Sequence, residues 1–134
     1  GTAIVVIADH GLTDVVEVPL VQNQELMSML RKKPSIEARA TNFYVKHNEL
    51  KRFKDVFEET YGKHFILLSK AEILEKKLFG EGKKHKMFDH FIGDYMSIAT
   101  SNQMMGLGGE RPFIAHHAGL TKDEMEVPLI IFTK

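Results

Sequence analysis

Near its start the chain reads Ala3-Ile4-Val5-Val6-Ile7-Ala8 and then breaks into Asp9-His10-Gly11. A continuous apolar run of β-branched residues suits a strand covered on both faces, as in a parallel sheet. Polar residues directly after such a strand lie at its carboxyl end, where open parallel sheets bind ligands. A carboxylate and an imidazole there can coordinate one divalent ion, and Gly11 permits a sharp turn beside them. In isolation the pair has a plainer reading, with Asp9 capping a turn and His10 partly exposed.

The far end mirrors the start, since Val127-Pro128-Leu129-Ile130-Ile131-Phe132 is a second short apolar run. With no initiator Met and Gly1 reading as a cloning remnant, residues 1–134 are expected to form a single domain cut from a longer chain. Between the two runs, strand and helix patterns alternate. Residues 15–21 suit a short strand, with Pro19 disfavouring a central position. Leu26, Met27 and Leu30 mark a short amphipathic helix over 23–33, ahead of Pro34. A strand over 38–46 leads to a helix over 48–61 with the stripe Leu50, Phe53, Val56 and Phe57, Asn48 as its cap and Gly62 at its end. A strand over 64–68 follows, then Ser69-Lys70-Ala71-Glu72, the capping-box pattern that opens another helix. Residues 80–90 read as a polar connection, 94–100 as a strand and 102–109 as a turn. Strands alternating with helices of 10–15 residues indicate an α/β or α+β fold.

Eighteen Lys and Arg balance eighteen Asp and Glu among the 134 residues, so no excess of positive charge marks a nucleic-acid binder. The absence of cysteine excludes disulfide frameworks, thiolate zinc sites and thiol catalysis. No apolar run reaches the ~20 residues of a membrane span, and no signal-peptide pattern is present. The expected setting is cytoplasmic, with neither nucleic acid nor membrane as a partner. Other motifs carry less. His85 and His90 stand five apart in a Lys-rich loop, poor helical ligand spacing, and Gly106-Leu107-Gly108-Gly109 lacks the strand-to-helix context of a phosphate loop. The Met104-Met105 pair reads as packing.

Far downstream stands Ala115-His116-His117-Ala118-Gly119-Leu120-Thr121. Two adjacent His side chains in a strand face opposite sides, so one of them at most joins a given site. Thr121-Lys122-Asp123-Glu124 is itself a capping-box pattern, which gives Thr121 and Glu124 structural work.

Taken together, Ala8-Asp9-His10-Gly11 after an apolar strand and His117-Ala118-Gly119-Leu120-Thr121 ahead of Glu124-Met125-Glu126-Val127-Pro128-Leu129-Ile130 resemble the alkaline phosphatase superfamily, in its nucleotide pyrophosphatase/phosphodiesterase-like branch. Ile92-Gly93-Asp94-Tyr95-Met96-Ser97-Ile98-Ala99 is similar to a strand of bacterial members. The resemblance implies an α/β fold, the C-terminal portion of an alkaline-phosphatase-like parallel sheet, with residues 38–78 as a cap-like β-α-β insertion. It implies Asp9 and His10 as ligands of one zinc and His117, which precedes Ala118-Gly119 where the family pattern has its His, as a ligand of its neighbour. Manganese is the alternative, since Asp and His ligands suit either metal.

By the same resemblance the parent enzyme hydrolyses phosphate esters, of small molecules or nucleotides, by in-line displacement between two metals. The nucleophilic Thr or Ser and the remaining ligands have no counterpart here, so the 134-residue chain is expected not to turn over and to hold metal weakly or not at all. Open sheet edges also make a homodimer an expectation. The competing reading, from strand 38–46, helix 48–61 and strand 64–68, is a small ferredoxin-like regulatory or protein-interaction module without catalysis. Ligands of metals ~4 Å apart, each bonded at ~2 Å, should lie within roughly 8 Å of one another, so the spacing of Asp9 and His10 from His117 separates the two readings.

Overall fold

The computed structural model describes residues 1–35, 37–106, 108 and 113–134. In chain order the elements are β1 (Ala3–Ile7), β2 (Thr13–Asp14), β3 (Val16–Val18), α1 (Gln24–Ser28), β4 (Ala40–Phe43), α2 (Leu50–Tyr61), β5 (Phe65–Ser69), α3 (Lys70–Glu75), α4 (Phe88–Phe91), β6 (Tyr95–Ala99), β7 (Gln103–Met105), β8 (Ala115–His116), α5 (Lys122–Met125) and β9 (Leu129–Thr133). The result is a mixed α/β fold built from small sheets. Among the described residues, no helix is long and apolar enough to cross a membrane.

The centre is a three-stranded sheet in the order β4-β6-β5, with β6 antiparallel to both neighbours. Strands β4 and β5 are therefore parallel to each other and joined by α2, a β-α-β unit opened to admit β6. As the middle strand, β6 is covered on both faces. Met96 and Ile98 pack with Ile73 and Ile92 on one side, while Ala99 and Tyr95 join the main core on the other. That core is aromatic. The α2 stripe places Phe53, Phe57 and Tyr61 one turn apart on the sheet, and Phe43 meets Phe53 and Phe57 at centroid distances of 5.1 and 5.5 Å.

Several boundaries differ from the sequence reading for local reasons. The expected helix over 23–33 is a short turn of helix, Gln24–Ser28, capped by the Asn23 side chain. Beyond it the chain straightens, and Leu30 bridges Val45 instead. Helix α2 begins at Leu50 after a 3-10 turn, and Asn48 makes no cap to it; Gly62 ends it at a right-handed φ of −59°. The capping box at Ser69 and Glu72 forms as expected. Residues 103–105, expected in a turn, are a strand parallel to β3, with Met104 and Met105 both buried. Leu107 and Gly109 of that expected turn lie outside the described residues.

The two apolar end runs do become strands, but not ones buried within this chain. They pair with each other antiparallel, from Ala3 opposite Thr133 to Ile7 opposite Leu129, and all ten residues are exposed. Among the described residues, none covers either face of this two-stranded ribbon.

Candidate functional site

Two contacts bring the segment after β1 beside the segment after β8. The short ladder of β2 and β8 sets Thr13 opposite His116, and the Gly11 amide donates to the Glu124 carbonyl at 2.9 Å. A Cβ at Gly11 would overlap the Asp123 carbonyl, so only glycine lets the chain lie this close to α5. The consequence is that His10 and His117 stack, with ring centroids 3.8 Å apart and planes inclined by 16°. This is well inside the roughly 8 Å expected for ligands of neighbouring metals.

The Nδ1 of His10 lies 2.8 Å from the Gly11 carbonyl oxygen. A carbonyl only accepts, so in the neutral ring Nδ1 carries the proton and Nε2 has the lone pair. That Nε2 is 3.8 Å from Oδ2 of the exposed Asp9, near the ~3.3 Å separating two ligands bonded at ~2 Å to one tetrahedral ion. His117 stands differently. Ring lone pairs lie in the ring plane, and two planes stacked at this spacing and tilt meet far beyond a ~2 Å bond. Rings stacked in this way do not direct lone pairs from both at one shared ion. Among the described residues, no three His, Asp or Glu side chains converge on a single metal.

His116 does not take the opposite side. Strand β8 stops there, and its ring lies 5.2 Å from that of His117 at 26°, extending the stack to three imidazoles. The His116 Nδ1 is engaged by the main chain of His117 at 2.9–3.0 Å, and its ring meets Phe113 edge-on. Nearby, Oε1 of Glu37 is buried without a hydrogen-bond partner, 3.7 Å from the His116 ring.

Sequence reading missed the two groups that anchor this region. Arg39 is fully buried and forks onto the Glu124 carboxylate through Nε and Nη2, the latter at 2.6 Å. The same carboxylate accepts from the Gly119 amide at 2.8 Å, the Thr121 amide at 3.1 Å and the Thr121 hydroxyl. Burial pushes the Glu124 carboxyl upward, but these donors outweigh it and hold its pKa at about 2. The capping pattern pointed to Glu124 only as a helix cap. Arg39 left one signal, a cation between Ala38 and Ala40 in a segment expected to be a strand.

Elsewhere, His64 contacts the Ser101 hydroxyl at 3.2 Å. His85 lines a separate cleft of about 550 Å³ with Lys77, Lys83, Lys84, Phe79 and Phe88. Neither joins the histidine stack.

No family model matches the chain, and no curated protein does. Among solved structures, murine ectonucleotide pyrophosphatase/phosphodiesterase 5 superposes with a TM-score of 0.65 at 13% identity, covering 95% of this chain and 33% of that one. An inactive form of the same protein in complex with AMP gives 0.60 at 14% identity. Phosphonoacetate hydrolase from Sinorhizobium meliloti 1021, in complex with phosphonoformate, gives 0.67 at 18% identity, covering 98% of this chain and 36% of that one. The chain therefore spans about a third of the length of the structures it matches, and what it shares with them is the fold.

Proposed function

We propose that this chain, whose fold is that of the C-terminal part of nucleotide pyrophosphatase/phosphodiesterase-like members of the alkaline phosphatase superfamily, contributes half of a two-metal phosphoesterase centre. Asp9 and His10 serve one divalent ion and His117 its neighbour, with zinc first and manganese second. The observation that carries this is the His10–His117 stack, which brings His117, from the far end of the chain, beside the adjacent residues Asp9 and His10. When bound, such ions supply Lewis-acid activation of a nucleophile and neutralise charge at phosphorus and the leaving oxygen.

The chain's own residues prepare this. The Gly11 carbonyl fixes the His10 tautomer so that Nε2 is the free donor. Asp9 brings a carboxylate to the same side. The substrate class is a phosphate ester of a small molecule or nucleotide, in line with the AMP and phosphonate ligands of the structural neighbours. No residue of this chain is assigned as the nucleophile, so the 134-residue chain by itself is not expected to turn over.

Titration with Zn²⁺ and Mn²⁺, followed calorimetrically and by the imidazole proton resonances, tests the reading. Weak binding is expected, since each ion finds at most two ligands where catalytic zinc sites use three. His10→Ala and His117→Ala should each weaken it at least tenfold. Binding unchanged in both variants, or an unaltered His10 and His117 spectrum at saturating metal, would overturn the assignment. A second reading, an interaction module, draws on the β4-β6-β5 sheet and α2, which pack on a core shared with Leu20, Leu26, Met29, Leu30 and Met105; it expects no metal response at His10 or His117.

A further inference from the structure

We infer that the Arg39–Glu124 pair is a positioning device that sets His117 against His10; as a statement about metal ligands this rests on the reading above, but as geometry it can be tested without metal. Glu124 is hydrogen-bonded to both loops that carry the histidines. Its main-chain carbonyl accepts from Gly11, the residue after His10. Its carboxylate accepts from Gly119 and Thr121, two and four residues after His117. Arg39 fixes that carboxylate to the rest of the molecule, because its remaining donors go to the carbonyls of Gln103 at 2.7 Å and Ser101 at 2.8 Å, and its backbone leads directly into β4.

The fit leaves no slack. A Cβ at Gly119 would stand 2.6 Å from Arg39 Nη2, 2.8 Å from Glu124 Oε2 and 2.9 Å from the Ala99 carbonyl. Leu120 is tied to that same carbonyl at 2.8 Å.

Stability alone is a poor reason for such a pair. Apolar side chains of similar volume commonly serve a protein interior as well as a buried ion pair, because desolvation offsets the attraction between the charges. What apolar groups do not supply is direction. A carboxylate with five donors converging on it fixes where each donor's backbone lies. Here those backbones hold the ends of the two histidine loops.

The experiment is proton NMR of the metal-free 134-residue chain at a pH where the imidazoles are neutral, with ring signals assigned through His10→Gln and His117→Gln. The wild-type chain should show an inter-ring Overhauser effect between His10 and His117 and the upfield displacement that stacking produces. The double variant Arg39→Met/Glu124→Met leaves neither charge buried alone. It should keep the Phe43, Phe53 and Phe57 signals of the core but lose the inter-ring effect, and its Zn²⁺ affinity should fall at least tenfold. Arg39→Lys, which keeps the charge but not the fork, provides the same comparison should the double variant fail to fold.

A folded variant of either kind that retains the inter-ring effect would overturn the inference, as would its absence from the wild-type chain. If Zn²⁺ leaves the His10 and His117 signals unmoved while the variants still lose the effect, the metal assignment falls and the positioning role stands.

Discussion

Ala118, between His117 and Gly119, has a φ of +82°. An L side chain there crowds its own carbonyl, at a cost on the order of 1–2 kcal/mol. The neighbouring bonds to Glu124 over-determine the turn and hold Ala118 in that conformation. Ala118→Gly should therefore raise stability by about 1 kcal/mol in urea unfolding while leaving the His10–His117 stack intact. Glu124 makes a second residue-level prediction. Its folded pKa of about 2 lies below the ordinary value of 4.5, so its contribution is fully present above pH 4.5 and is lost as pH falls toward 2. The size is on the order of 3 kcal/mol. Unfolding measured at a series of acid pH values should show this loss, and Glu124→Gln should flatten that limb of the profile. Glu72, lowered by the Ser69 hydroxyl and then its amide, acts with the same sign.

Among the elements, the β1–β9 ribbon is the exception to the usual placing of apolar residues. Ile4, Val5, Val6 and Ile7 face Phe132, Ile131, Ile130 and Leu129, and all eight side chains are roughly half or more exposed. Two-stranded ribbons are marginal in water, and apolar patches of this kind drive association. The 134-residue chain should self-associate through this ribbon. Val5→Lys with Ile131→Glu places opposite charges across the ladder; sedimentation should then report a smaller species, with the helical circular dichroism unchanged. If the substituted chain associates to the same extent, another surface is responsible. The apolar pattern of the two runs was legible in the sequence. Their partnership was not, because strand periodicity carries no information about which strand lies alongside or in which direction.

For the whole molecule, the aromatic cluster on α2 is the point of greatest leverage. Phe53 is fully buried and meets Phe43, Phe57 and Tyr95. Phe53→Ala should cost about 3–5 kcal/mol, measurable as a lower urea midpoint, and should weaken the His10–His117 contact only through global unfolding. Retention of wild-type stability would place the core elsewhere. Local chemistry written in adjacent residues was readable: the α2 stripe, the Ser69 capping box and the buried Met104-Met105 pair. Each depends on spacing within a turn of helix, a strand or a tight loop, where neighbours in sequence are neighbours in space. Tertiary structure alone decided that His10 and His117 stack, that His116 joins them instead of facing away, and that Arg39 finds Glu124. Those contacts join residues far apart along the chain, and their partners are selected by the closing of the core and by the need to satisfy a buried charge, neither of which any single segment specifies.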